Sequence, residues 1–288
     1  MTKLRQKMIE DLQLKGLSTK TQKAYVSAVR MLAEYFRKSP ADITEEDLRK
    51  YFLYLKNEKK YSSSSTTVAL CGIKFFYEKT LNKEFTTLTF VKPVREKKLP
   101  VILSQKEVQA ILRKVRKPVY RTCLTTIYTC GLRNQEACNL QVHQIDSARM
   151  LLHIGGGKGN KDRLIPLPKI TLELLRKFWQ THKNPTWLFP KGSAIASERK
   201  REDGPINSRS LQRAFILAAK DSGIHKKACV HSLRHAYATH LVEEGLNLKF
   251  VQIYLGHNSL STTAIYTHLT TKSEEKAHEI INNLANNL

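Results

Sequence analysis

Residues 91–100 read VKPVREKKLP, with two prolines, five charges and little to bury. That is the composition of an interdomain linker rather than of a helix or strand. The fold turns on this reading, because the chain differs on its two sides. The segment before it reads as helices throughout. Tyr25, Val29, Leu32 and Phe36 recur at i, i+4, i+7 and i+11, which makes one apolar helical face. Lys20, Lys23 and Arg30 are left for solvent or for phosphate. Ser18 is placed to cap that helix, and Thr44 to open another through TEEDLRKYFLYL, whose acidic residues suit the positive end of a helix dipole. A further helix is expected over YSSSSTTVALCGIKFFYEKTL. Its serines, Ser64 among them, serve as a polar cap or as phosphate contacts at a helix start.

After the linker the pattern is mixed. Ser104 and Glu107 in LSQKEVQAIL have capping-box spacing ahead of Val108, Ile111 and Leu112. LLHIGGGKGNKDRLIPL (151–167) holds two short apolar runs around a Gly/Asn/Lys/Asp turn, the signature of a β-hairpin. PKGSAIASERKREDGP (190–205) reads as an exposed basic loop, and helical spacing then returns, with Gly223, Gly245 and Gly256 at C-cap positions. The expectation is a mainly α protein with a small β-sheet (α+β). Its parts are a helical domain over 1–90, a linker over 91–100 and a second domain over 101–288.

Charge narrows the partner. The 288 residues carry 49 basic and 25 acidic side chains, a net +24. The excess is +10 before residue 101 and +14 after it, so it is not confined to a basic tail. A soluble lysine-rich surface is one reading; a polyanion held by both domains is the sharper one, and nucleic acid fits it, with charge alone not separating DNA from RNA. No apolar run reaches the ~18 residues of a membrane span. The start, MTKLRQKMIEDLQLKG, has no secretory h-region. Five cysteines without a CxxC pair suggest reduced thiols and a cytoplasmic setting.

Four stretches gather polar groups on otherwise apolar elements. YTCGLRNQEACNL (128–140) sets Arg133 three residues from Glu136, and HSLRHAYATHL (231–241) sets His231 three from Arg234. The hairpin tip offers Lys158 and Lys161, followed by Arg163. LGHNSLSTTAIYTHLT carries His257 and Tyr266. An arginine on an apolar helix demands an anion. Glu136 could satisfy Arg133 internally, but the whole basic set lacks matching carboxylates nearby, and an external phosphate would balance it. His231, His235 and His240 lack the HExxH arrangement of a zinc site, and no acidic cluster suits Mg²⁺. GGGKGNK lacks the spacing of a nucleotide-binding loop. Neither a metal nor a nucleotide cofactor is expected. Taken alone, Tyr266 would be a half-buried aromatic and His257 a loop residue.

The motifs TCGLR, GKGNKDRLIPL, HSLRHAYATHL and LGHNSLSTTAIYTH resemble, in order and spacing, those of the tyrosine recombinases, the superfamily of phage-type, Xer-like and integron integrases. The resemblance spans the whole chain. It implies a helical SAM-like core-binding domain and a catalytic domain closing as a C-shaped clamp on DNA. It implies site-specific cleavage and rejoining through a 3′-phosphotyrosine, without metal or ATP. In that scheme Tyr266 is the nucleophile, and Arg133 and Arg234 grip the scissile phosphate. His231 and His257 complete the cluster, Lys158 protonates the leaving 5′-oxygen, and Glu136 supports the first arginine. Lys20, Lys23, Arg30, Ser64, Lys161 and Arg163 are candidate DNA contacts. Cys130 stands where the family commonly has threonine, a change expected to affect packing. His235, His240, His268, Tyr237 and Tyr254 are assigned structural roles. An amphipathic helix over about 272–288 needs a partner surface: it would fold back on its own domain or, as the resemblance implies and we favour, dock on a neighbouring protomer, giving a tetramer on two DNA sites. Two alternatives are relaxation of supercoils by a type IB topoisomerase-like enzyme and a catalytically silent DNA-binding regulator.

Overall fold

The computed structural model describes residues 2–93, 99–155, 162–192 and 204–266. Lys158, Lys161, His268, most of the 190–205 segment and the helix expected over about 272–288 lie outside them. The chain divides into two compact units, Met1–Lys98 and Leu99–Leu288.

The first unit is helical: α1 (Lys3–Leu14), α2 (Thr19–Phe36), α3 (Glu45–Asn57), α4 (Ser63–Phe75) and the short α5 (Thr87–Phe90). Ser18 caps α2, Thr44 forms a capping box with Asp47 at α3, and Ser62 caps α4. On α2, Val29 and Leu32 are buried while Tyr25 and Phe36 pack against the core from its edge, as the spacing requires. α4 continues through a wider turn, Phe76–Thr80, that sinks Phe76 and Tyr77 into the same core. The Tyr77 hydroxyl donates to the Pro40 carbonyl at 2.8 Å, so the buried phenol is satisfied.

The second unit begins with α6 (Gln105–Lys114), opened by the Ser104/Glu107 capping box, then α7 (Pro118–Cys130) and α8 (Asn134–Cys138). Three antiparallel strands follow in the order β1 (Ile145–Asp146), β2 (Leu151–Ile154), β3 (Arg163–Pro166). The β2–β3 pair is the hairpin read from the sequence; β1, two residues long, is too short for a periodicity to register. Then come α9 (Lys169–Gln180), α10 (Ser208–Asp221), α11 (Val230–Glu243), α12 (Leu248–Leu255) and α13 (Leu260–Ala264). α7 lies at the centre, with α9, α10 and α11 packed against it. It buries Cys123, Leu124, Ile127 and Cys130, so Cys130 acts as a core residue and burial pushes its thiol up to about 12. The cysteines are free, with Cys71 and Cys229 exposed. No helix among the described residues is long and apolar enough to cross a membrane.

Two glycines end the helices that frame the site. Gly131 closes α7 and Gly256 closes α12, both at φ 61°. At Gly131 a Cβ would also lie 2.5 Å from the Tyr237 ring. Gly223 shares the left-handed backbone (φ 73°) but faces open space. Gly131→Ala should therefore cost about 1–2 kcal/mol of backbone strain plus about 1–3 kcal/mol of overpacking, whereas Gly223→Ala costs only the strain. Urea unfolding of the two variants measures the difference, and equal losses would show that the Tyr237 contact yields freely.

Candidate active site

The last carbonyls of a helix lack intrahelical partners and carry the negative end of its dipole. Around the ends of α7 and α12 those carbonyls are met by three arginines from distant parts of the chain. Arg234, on α11, donates from Nη1 to the Gly131 carbonyl at 2.7 Å and from Nη2 to the Leu255 carbonyl. Arg133, just before α8, donates from Nη2 to the Gly256 carbonyl at 2.9 Å. Arg163, the first residue of β3, donates from Nε to the Tyr254 carbonyl at 2.9 Å. Glycine at 256 is needed here, since a Cβ would lie 2.9 Å from Arg163 Cδ.

One carboxylate serves this cluster. Glu136 accepts from Arg133 Nη1 at 2.7 Å, from the Arg133 backbone N–H at 2.8 Å, and from both Arg163 Nη atoms at 3.0 and 2.6 Å. Burial alone would raise the Glu136 carboxyl; hydrogen bonds and charge from Arg163, then Arg133, outweigh it and bring it down to about 2. Arg234 has no carboxylate partner among the described residues although it is only 1% exposed. Burial, then the neighbouring Arg133, draws it down to about 9, still charged at neutral pH. Among the described residues Arg133 and Arg234 each spend two of a guanidinium's five N–H donors, which leaves donors for an oxyanion.

Tyr266 follows α13 and is 1% exposed. Its hydroxyl lies 2.9 Å from His235 Nδ1, and its ring stacks on His257 with centroids 6.4 Å apart at 17°. Burial raises the phenol, and Arg234 partly offsets that. His257 Nδ1 lies 2.9 Å from Thr263 Oγ1. The rings of His231 and His235 meet edge to face at 4.6 Å. Desolvation lowers all three imidazoles, followed by Arg234 and Arg133 at His231 and His257 and by His231, then Arg234, at His235; His235 and His257 come down to about 4, so those two are neutral near pH 7. Neutral imidazole accepts a proton; a guanidinium does not.

The structure thus brings Arg133, Glu136, Arg234, His257 and Tyr266 together, with His231 at the exposed rim. Lys158 lies outside the described residues. Of the candidate DNA contacts, Lys20, Lys23 and Ser64 are exposed, and Arg30 is exposed beside Glu34 at 3.7 Å. Arg163 needs correction. Its side chain is 6% exposed and locked on Glu136, so it braces the cluster instead of reaching DNA. The register explains this: Arg163 and Ile165 point inward and leave Leu164 outside. His235, expected to be structural, sets its ring against the hydroxyl of Tyr266. The signal was present in the sequence, because residues 231, 234 and 235 share one helical face at i, i+3 and i+4. His240 bonds the Tyr128 hydroxyl at 3.0 Å, and Tyr237 packs on Gly131.

Residues 102–273 match the model described as phage integrase family, and residues 4–87 match that of the phage integrase N-terminal SAM-like domain. The chain is 31% identical over 291 residues to a tyrosine recombinase, XerA, of Pyrococcus furiosus, covering 98% of this chain and 96% of that one. An integrase/recombinase of Escherichia coli is 30% identical over 289 residues, covering 88% and 85%. The crystal structure of a XerA recombinase aligns with a TM-score of 0.53 at 26% identity, over 96% of this chain and 98% of that one. A lambda integrase tetramer bound to a Holliday junction aligns at 0.72 with 19% identity, over 91% and 76%, a likeness of fold.

Glu136→Gln leaves Arg163 buried without its counter-charge and should cost about 3–5 kcal/mol. The pH dependence has a definite sign. The folded carboxyl at about 2 lies below its ordinary 4.5, so its contribution is full above pH 4.5 and is lost as pH falls toward 2. Urea unfolding of both proteins across that window checks this. Wild type should lose stability more steeply than the Gln variant, and parallel curves would contradict the assignment.

Proposed function

The chain belongs to the phage integrase family of tyrosine recombinases, and from that premise we propose that it cuts and rejoins double-stranded DNA at specific sites through a 3′-phosphotyrosine intermediate. The observation that supports this most directly is the charge count at the site. Among the described residues, three guanidiniums stand beside a phenol with one carboxylate, which Arg133 and Arg163 share, leaving a net of two positive charges for a group supplied from outside. Planar guanidinium forks match the oxygens of a phosphodiester, and their charge stabilises the pentavalent transition state.

In this reading Arg133 and Arg234 hold the non-bridging oxygens. The Tyr266 oxygen forms a bond to phosphorus as the bond to the 5′-oxygen breaks, and that oxygen takes a proton from Lys158, assigned by its motif position. His231 and His257 hydrogen-bond around the phosphate. The phosphotyrosine keeps the energy of the broken ester, so reversal by a 5′-hydroxyl reseals the strand without ATP. Exchange between two duplexes requires both to be held together, so the working unit proposed is four copies on two sites, in the cytoplasm where the DNA is. The XerH and lambda integrase neighbours were solved bound to their DNA sites. Phosphate contacts should dominate affinity and make it fall steeply with salt.

Tyr266→Phe tests the reading. The full-length variant should still shift duplex DNA in a gel while its SDS-stable adduct disappears, and an adduct that survives the change would refute the proposal. EDTA should leave wild-type cleavage unchanged.

A further inference from the structure

The recombinase reading leaves open where the proton of Tyr266 goes, and the surroundings of its hydroxyl answer this. The side chain is 1% exposed, so bulk water cannot take the proton. Arg234 lies near enough to act on the phenol, but guanidinium has no acceptor. Among the described residues Tyr266 Oη meets His235 Nδ1 at 2.9 Å, within the range required of a base and its proton. His257 lies alongside as a stacked ring, and its own Nδ1 is engaged by Thr263 Oγ1.

Resting on the recombinase reading, we propose that His235 is the catalytic base that receives the Tyr266 proton as the phenol attacks phosphorus. The step balances. The Oη lone pair forms the O–P bond, the O–H pair stays on oxygen, and the proton passes to Nδ1. The P–O5′ pair leaves with the 5′-oxygen, which is protonated separately. When the strand is rejoined, the imidazolium returns its proton to the phenolate. The groups facing His235 are His231 and Arg234 on its own helix, and His257 and Tyr266 from the segment after α12. In the free protein burial, then His231 and Arg234, hold its basicity down. A phosphodiester between the arginines neutralises part of that field, so the substrate raises the basicity of the group that must act on it. The proposal requires the His235–Tyr266 contact to survive the arrival of the phosphate.

The test uses full-length wild type, His235→Gln, His235→Ala and Tyr266→Phe with a duplex DNA pool enriched by binding to wild type and nicked to trap the adduct. Glutamine retains a hydrogen bond to the phenol but cannot take its proton. Both His235 variants should melt and bind DNA like wild type, yet form adduct at least ~10²-fold more slowly. Added imidazole should restore part of the rate to the Ala variant. With a 5′-bridging phosphorothiolate at the sequenced cleavage point, whose leaving group needs no proton, the defect should persist. A Gln variant that cleaves within about threefold of wild type, or faster, overturns the proposal, as does a defect that vanishes on the phosphorothiolate. Adduct formed by Tyr266→Phe would instead overturn the recombinase chemistry itself.

Discussion

The site is organised around one shared carboxylate. Glu136 sits one turn into α8 and accepts four hydrogen bonds, so it ties the start of that helix to the first residue of β3 through Arg133 and Arg163. The same two arginines then reach carbonyls at the end of α12. A single acid thereby fixes three segments that the sequence scatters over more than a hundred positions. Breaking such a buried pair costs far more than forming it gains, because the survivor is left charged and dry. Its value lies in fixing geometry.

Around that anchor the helix ends supply the remaining constraints. α7 and α12 both finish in a left-handed glycine, and their terminal carbonyls accept from guanidiniums where water would otherwise serve. Each such bond aims an arginine without neutralising it, which a carboxylate would do. Arg234 is the extreme case: held by two carbonyls and by no carboxylate among the described residues, it stays charged at neutral pH at 1% exposure. Helix termination and the aiming of these guanidiniums are here a single structural solution.

Much of this could be read from the chain itself. The α2 stripe, the capping pairs at Thr44 and Ser104, and the β2–β3 hairpin rest on contacts within a few residues, where spacing carries the information. The grouping of Arg133, Arg234, His257 and Tyr266 came from ordered motifs, not from periodicity. Arg163 and His235 depend on partners 27 and 31 residues away: spacing puts His235 on the face of His231 and Arg234, but only the tertiary fold brings Tyr266 to that face and Glu136 to the inner side of β3. On β3 the alternation of Arg163, Leu164 and Ile165 invites the opposite assignment, with leucine inside; Glu136 reverses it by offering the arginine a counter-charge.

The unmatched guanidiniums have a thermodynamic consequence. Like charges crowded into a desolvated corner repel, so the free protein gives up some folding stability to keep its site ready. A polyanion that settles there removes the repulsion, and by mass action whatever binds only the folded form raises its melting temperature. DNA is thus expected to be ligand and stabiliser at once, and the chain should be most fragile when it is searching and most robust when it has found its target.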